Sequence, residues 1–149
     1  MRSLSALIVL FLAISISGQT PTDFTGRWRQ QTNSGTQRQL EVEQKGQNLR
    51  VNTVVTNSEG TRNLEVKYDI GGPATTYKGL DGDEFLTSVR WYGSTLVFDT
   101  IEHEAVSEIL QKAIWTLSAD SNTLQVDRQL TKSGNTTHSH SLTVFVRQP

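Results

Sequence analysis

Apolar and polar residues alternate with a period of two along most of this chain. The cleanest run sets Leu64, Val66, Tyr68 and Ile70 against Glu65, Lys67 and Asp69. Leu40 and Val42 oppose Glu41 and Glu43, Leu49 and Val51 oppose Arg50 and Asn52, and Phe85, Val89 and Trp91 oppose Ser88 and Arg90. Leu96 and Phe98, then Ala113, Trp115 and Leu117, then Leu124, Val126 and Leu130 repeat the pattern, and Leu142, Val144 and Val146 close the chain. Alternation sends successive side chains to opposite faces, so each run predicts a strand with one buried side. Turn residues separate the runs at Lys45-Gly46-Gln47-Asn48, Asn57-Ser58-Glu59-Gly60, Gly71-Gly72-Pro73, Asp81-Gly82-Asp83, Tyr92-Gly93-Ser94 and Ser133-Gly134-Asn135. They supply the Gly, Asn and Asp that tight hairpins need. One segment is ambiguous. Ile101, Ala105, Ile109 and Lys112 lie at helical spacing, but both flanks are β-like, and residues 101–112 are read as two strand ends joined by a loop.

Short loops between amphipathic strands join antiparallel neighbours, not βαβ crossovers. The prediction is an all-β, antiparallel up-and-down meander of about eight to ten strands. An open meander leaves two unpaired edges, and closure into a barrel removes them. A β-sandwich is the alternative, but its Greek-key connections need longer loops than most of these. The length of 149 residues suits one domain, and the absence of Cys excludes a disulfide framework, a zinc ribbon and a thiol nucleophile. A net charge of -1 argues against a nucleic-acid partner held by phosphate neutralisation.

The first residues read as an address and not as part of the fold. Met1-Arg2 precedes an apolar run from Leu4 to Ile16, and Ser15, Ser17 and Gly18 provide small residues for cleavage. This predicts a secretory signal peptide at 1–18 and a mature domain at 19–149. The run falls short of the roughly 20 residues of a spanning helix, and no Cys follows it to carry a lipid. The expected destination is secreted or periplasmic, with no membrane span after cleavage. A transmembrane barrel would alternate similarly, but the aromatic residues do not bracket each strand and the chain ends in Arg147-Gln148-Pro149.

Candidate chemistry is sparse. His138 and His140 share a strand face with Leu142, Val144 and Val146, which is expected to be the interior. With His103 they could hold a metal or haem; the plainer reading is a wet strand end beside a turn. Asp81, Asp83 and Glu84 surround Gly82 like part of a calcium loop, without the full ligand series. Asp99, Glu102 and Glu104 could pair as acid and base, but nothing in the sequence separates their pKa values. Asn135-Thr136-Thr137 is a formal glycosylation sequon. No Gly-x-Ser-x-Gly elbow, phosphate-binding Gly loop or His-Glu-x-x-His is present. No catalytic residue, resident metal or cofactor is assigned.

Asp23-Phe24-Thr25-Gly26-Arg27-Trp28 resembles the opening of lipocalins and related calycin barrels. The mature chain is also similar to short secreted bacterial lipocalin-like proteins. The likeness rests on Phe24 to Trp28, Glu43 to Leu49, Trp91 to Leu96 and Trp115 to Leu124. It implies a floor built from Gly26 and Trp28, with a basic residue from a late strand over the indole. Arg128 is the first candidate and Arg147 the second. The helix before the last strand and the long lid loop of typical lipocalins are not evident. The resemblance implies a monomeric, non-catalytic protein whose partner is a small apolar or amphipathic ligand in the barrel. The interior candidates are Tyr68, Phe85, Trp91, Phe98, Trp115, His138 and His140. The alternatives are a haem, metal or enzymatic site at His138 and His140, or a filled barrel acting as a protein-interaction module.

Overall fold

The computed structural model describes residues 22–32, 35–133 and 138–149. The signal-peptide segment and the Asn135 sequon therefore lie outside the described residues. Ten strands follow in order: β1 (Gly26–Gln30), β2 (Gln37–Lys45), β3 (Asn48–Asn57), β4 (Gly60–Asp69), β5 (Thr75–Lys78), β6 (Glu84–Tyr92), β7 (Thr95–His103), β8 (Glu108–Leu117), β9 (Thr123–Lys132) and β10 (His138–Gln148). No helix occurs among the described residues. Residues 101–112 form the end of β7, a short loop and the first half of β8, so the strand reading is correct there.

The strands form one sheet in the order β4-β3-β2-β1-β10-β9-β8-β7-β6-β5. Every sequential pair except β4–β5 is an antiparallel hairpin, and β1 pairs with β10 to join the two halves. The result is a nearly closed barrel. Its single breach lies between β4 and β5. At one end of the breach Ile70 bridges Val89 and the Gly71 amide donates to the Val89 carbonyl at 2.7 Å. Farther along, side chains span it: Thr75 Oγ1 donates to the Lys67 carbonyl at 3.2 Å, and Arg62 Nη1 donates to the Leu80 carbonyl at 3.4 Å.

The core fills one end of the barrel. Phe24, Trp28, Leu96 and Leu124 are wholly buried there, with Val42, Leu49, Val89, Trp115 and Phe145 around them. The outer face carries cross-strand charge. Arg50 bridges Glu43 and Glu65, and Asp99 lies between Arg90 and Lys112.

The last strand corrects the expected phase. Phe145 is buried and Thr143 lines the interior, whereas His138, His140 and Leu142 are exposed. Leu142, Val144 and Val146 are thus the outward set. The continuously apolar phase of β10 is not the one that faces in; the inward phase holds Phe145 beside Thr143. The register with β9 decides the matter, since Phe145 stands opposite wholly buried Leu124.

Candidate functional site

The floor is built first, because it fixes which end of the barrel stays open. The Trp28 indole N–H donates to the Phe24 carbonyl at 3.0 Å, and the Phe24 amide donates to Gln44 Oε1 at 3.1 Å. Phe24 lies 6.1 Å from both Trp91 and Trp115. The cation over Trp28 is Arg147, with its guanidinium carbon 4.2 Å from the ring centroid. Arg128, the first candidate, is elsewhere: it projects into the cavity above the floor. Arg147 also donates to the Thr25 carbonyl at 2.6 Å and to the Ser121 carbonyl at 2.8 Å, tying the chain's entry, its last strand and the β8–β9 turn together. Gly26 permits this. Its φ is +152°, and a Cβ there would stand 2.4 Å from Arg147 Nη1.

Above the floor lies a cavity of about 400 Å³. That falls within the range of small-molecule sites. Tyr68, Phe85, Phe98 and Trp115 line it together with Tyr77. Their rings pack on one another: Phe98 is 4.8 Å from Trp115, Tyr68 stands edge-on to Phe98 at 5.6 Å, and Tyr77 stacks on Phe85 at 5.4 Å. Trp91 sits in the floor against Phe24 and does not line the cavity. Burial pushes the Tyr68 hydroxyl well above its ordinary pKa, with the neighbouring Tyr77 adding to the effect, so it is a neutral donor at any ordinary pH.

His138 and His140 are on the outside. His140 Nε2 meets Asp127 at 2.9 Å, His138 Nδ1 meets Thr131 at 3.1 Å, and His103 pairs with Glu108 at 3.1 Å. Each imidazole has its own local partner, so the three do not form a common ligand set. Asp81 and Asp83 do converge, but on Glu102 and not on Glu84, with oxygens within 4.8 Å of one another at the cavity mouth. Burial and then the like charges of Asp81, Glu104 and Asp83 raise the Glu102 pKa, while a hydrogen bond from Gln111 opposes the rise. The Glu104 pKa is instead lowered by hydrogen bonds from Lys132 and Ser107.

One cavity residue, Arg38, was not singled out in the sequence, and Arg128 was expected over Trp28 and not in the cavity. Arg38 on β2 and Arg128 on β9 both face the interior. Arg38 Nε is buried without a hydrogen-bond partner, and no carboxylate pairs with either guanidinium among the described residues. Burial depresses the Arg128 pKa and the nearby Arg38 charge depresses it further, with Tyr77 and Glu102 acting weakly the other way. The clue lay in the alternation. Arg38 precedes Leu40 and Val42, and Arg128 follows Leu124 and Val126, each in the apolar phase. A charge in the inward phase of a strand is out of place unless it has a task.

No protein-family model and no curated protein sequence matches the chain. Solved structures match its fold. Secretory abundant heat soluble protein 4 from Ramazzottius varieornatus superposes with a TM-score of 0.66 at 13% identity, over 89% of this chain and 100% of that one. The apo lipid binding protein 8 of Caenorhabditis elegans gives 0.63 at 13% identity, over 84% and 95%. A Schistosoma mansoni fatty acid binding protein in complex with arachidonic acid gives 0.56 at 10% identity, over 85% and 96%. At these identities the likeness establishes the calycin-type barrel fold.

Proposed function

We propose that this chain is a secreted, monomeric, non-catalytic carrier that holds a small amphipathic acid inside its barrel. The observation that carries this reading is the convergence of Arg38 and Arg128, without a carboxylate partner, on a 400 Å³ cavity walled by aromatic rings. Two like charges in a partly desolvated site disfavour the folded state unless an anion joins them. A ligand with an apolar body and one acidic group supplies that anion and fills the space. The fold likeness to a lipid binding protein and a fatty acid binding protein points the same way. The charged outer face argues for a water-facing barrel, since Arg and Lys are costly against lipid.

Titrating the purified protein with octanoate, octanol and octylammonium, followed by tryptophan fluorescence, tests the idea. Trp115 lines the cavity and reports on its contents. Octanoate is expected to bind most tightly and to lose most of its affinity in Arg38→Leu and Arg128→Leu. Equal binding of the three, or octanoate binding indifferent to both substitutions, refutes it. Amino-terminal sequencing of exported protein tests secretion, with a start at Gly18 or Gln19 expected. Sedimentation velocity tests the monomer.

A further inference from the structure

The cavity wall formed by β5, β6 and β7 carries a run of hydroxyls that the acid-binding reading does not use. Thr87 is 2% exposed and sits on the inward side of β6 between Phe85 and Val89. Its Oγ1 lies 2.8 Å from Thr100 Oγ1 and 3.3 Å from the Tyr77 hydroxyl. A wall needed only for packing would use valine at Thr87, which has the same shape and no polar atom to satisfy.

Donor counting shows what this ladder lacks. Each hydroxyl has one proton to give and two lone pairs to receive. Tyr77, Thr87 and Thr100 hold three protons, and their two contacts use two. None of the three donates to a backbone carbonyl among the described residues. Tyr68 packs edge-on against Tyr77, with ring centroids 6.2 Å apart, and does not change this count. Thr87 is in the middle and buried, so the unspent proton is presented at an end of the ladder. Those ends, including Tyr77 and Thr100, line the cavity. The ladder is also near the cationic subsite, since Arg128 feels Tyr77.

We infer that this ladder is a second polar subsite and that the ligand is an oxygenated amphipathic acid. Its acidic group meets Arg38 and Arg128, and a hydroxyl or oxo oxygen on its apolar body accepts the ladder's free proton. This rests on the acid-binding reading and narrows it: a plain acid leaves the ladder unanswered inside a desolvated wall.

The experiment is calorimetric titration of the purified protein with octanoate and with a set of its mono-hydroxy and mono-oxo derivatives. At least one derivative is expected to bind about tenfold more tightly than octanoate, the worth of one well-made hydrogen bond. The gain should disappear in Thr100→Val and Tyr77→Phe and persist in Thr100→Ser, which keeps the hydroxyl. If octanoate binds through the arginines but no derivative exceeds it, or if the gain survives both deletions, the second subsite is refuted and the acid-binding reading stands. If neither octanoate nor any derivative binds, both fall together. Should a deletion variant fail to fold, the wild-type comparison of octanoate with its derivatives still decides.

Discussion

Arg147 over Trp28 and Arg128 in the cavity should respond oppositely to the same substitution. In Arg147→Met the molecule loses charged hydrogen bonds to the Thr25 and Ser121 carbonyls and the stack on the indole. Charged bonds contribute about 1.5–3 kcal/mol each, and these are partly exposed, which places them at the low end. A partly exposed cation–π contact adds about 0.5–1 kcal/mol. Because such terms overlap in one side chain, the expected loss is about 2–4 kcal/mol, a fall in Tm of roughly 10 °C for a chain of this size. Arg128→Met removes an inward charge that has no carboxylate partner, leaving an apolar stem of similar length. The expected change runs from neutral to a stabilisation of up to about 3 kcal/mol. Urea denaturation followed by tryptophan fluorescence measures both, with the slope unchanged if the unfolded states are alike. Equal losses in the two variants, or a larger loss in Arg128→Met, would overturn both the floor and the anion site as described.

The phase of β10 can be read from Leu142→Gln, which should change stability by less than about 0.5 kcal/mol, against Phe145→Ala, which should cost about 3–5 kcal/mol; similar costs would mean the strand faces the other way. Gly26→Ala should destabilise by roughly 2 kcal/mol, because its backbone is strained for a side chain and the new methyl displaces the Arg147 guanidinium, and thermal melting checks it. Glu102 and Glu104 should show opposite pH dependence. The folded state raises the Glu102 pKa, so its ionised form destabilises the fold at neutral pH and the penalty fades as pH falls from the raised value through the ordinary carboxylate range. Glu102→Gln should thus stabilise the protein at pH 7 and be neutral in acid. The Glu104 pKa is lowered, so its contribution is present above the ordinary value and lost as pH falls through the depressed one, and Glu104→Gln should destabilise only at neutral pH. Denaturation curves at several pH values separate the two, and a common sign at pH 7 would contradict both assignments.

How far the sequence reached depends on how local the deciding interaction is. Leu64, Val66 and Tyr68 alternate against Glu65 and Lys67, and β4 follows directly, because the period of two is a property of the strand itself. Glycine turns at Gly46, Gly60, Gly82 and Gly93, all with positive φ, likewise declare themselves locally. His138 and His140 were misplaced for the complementary reason. Alternation fixes which residues share a face but not which face is inside, and Leu142, Val144 and Val146 pointed outward.

The sequence alone therefore determined the strands, their antiparallel succession and the need to close the barrel, since hydrophobic period and turn chemistry are written within a few residues of one another. The tertiary structure decided which arginine covers Trp28, which imidazoles stay apart, and that Arg38 and Arg128 meet at all. Those residues come from strands separated by most of the chain, and only the pairing of β1 with β10 brings them into one wall. Proximity of that kind is set by register across the closed sheet, where a shift of one residue would send either guanidinium to the opposite face.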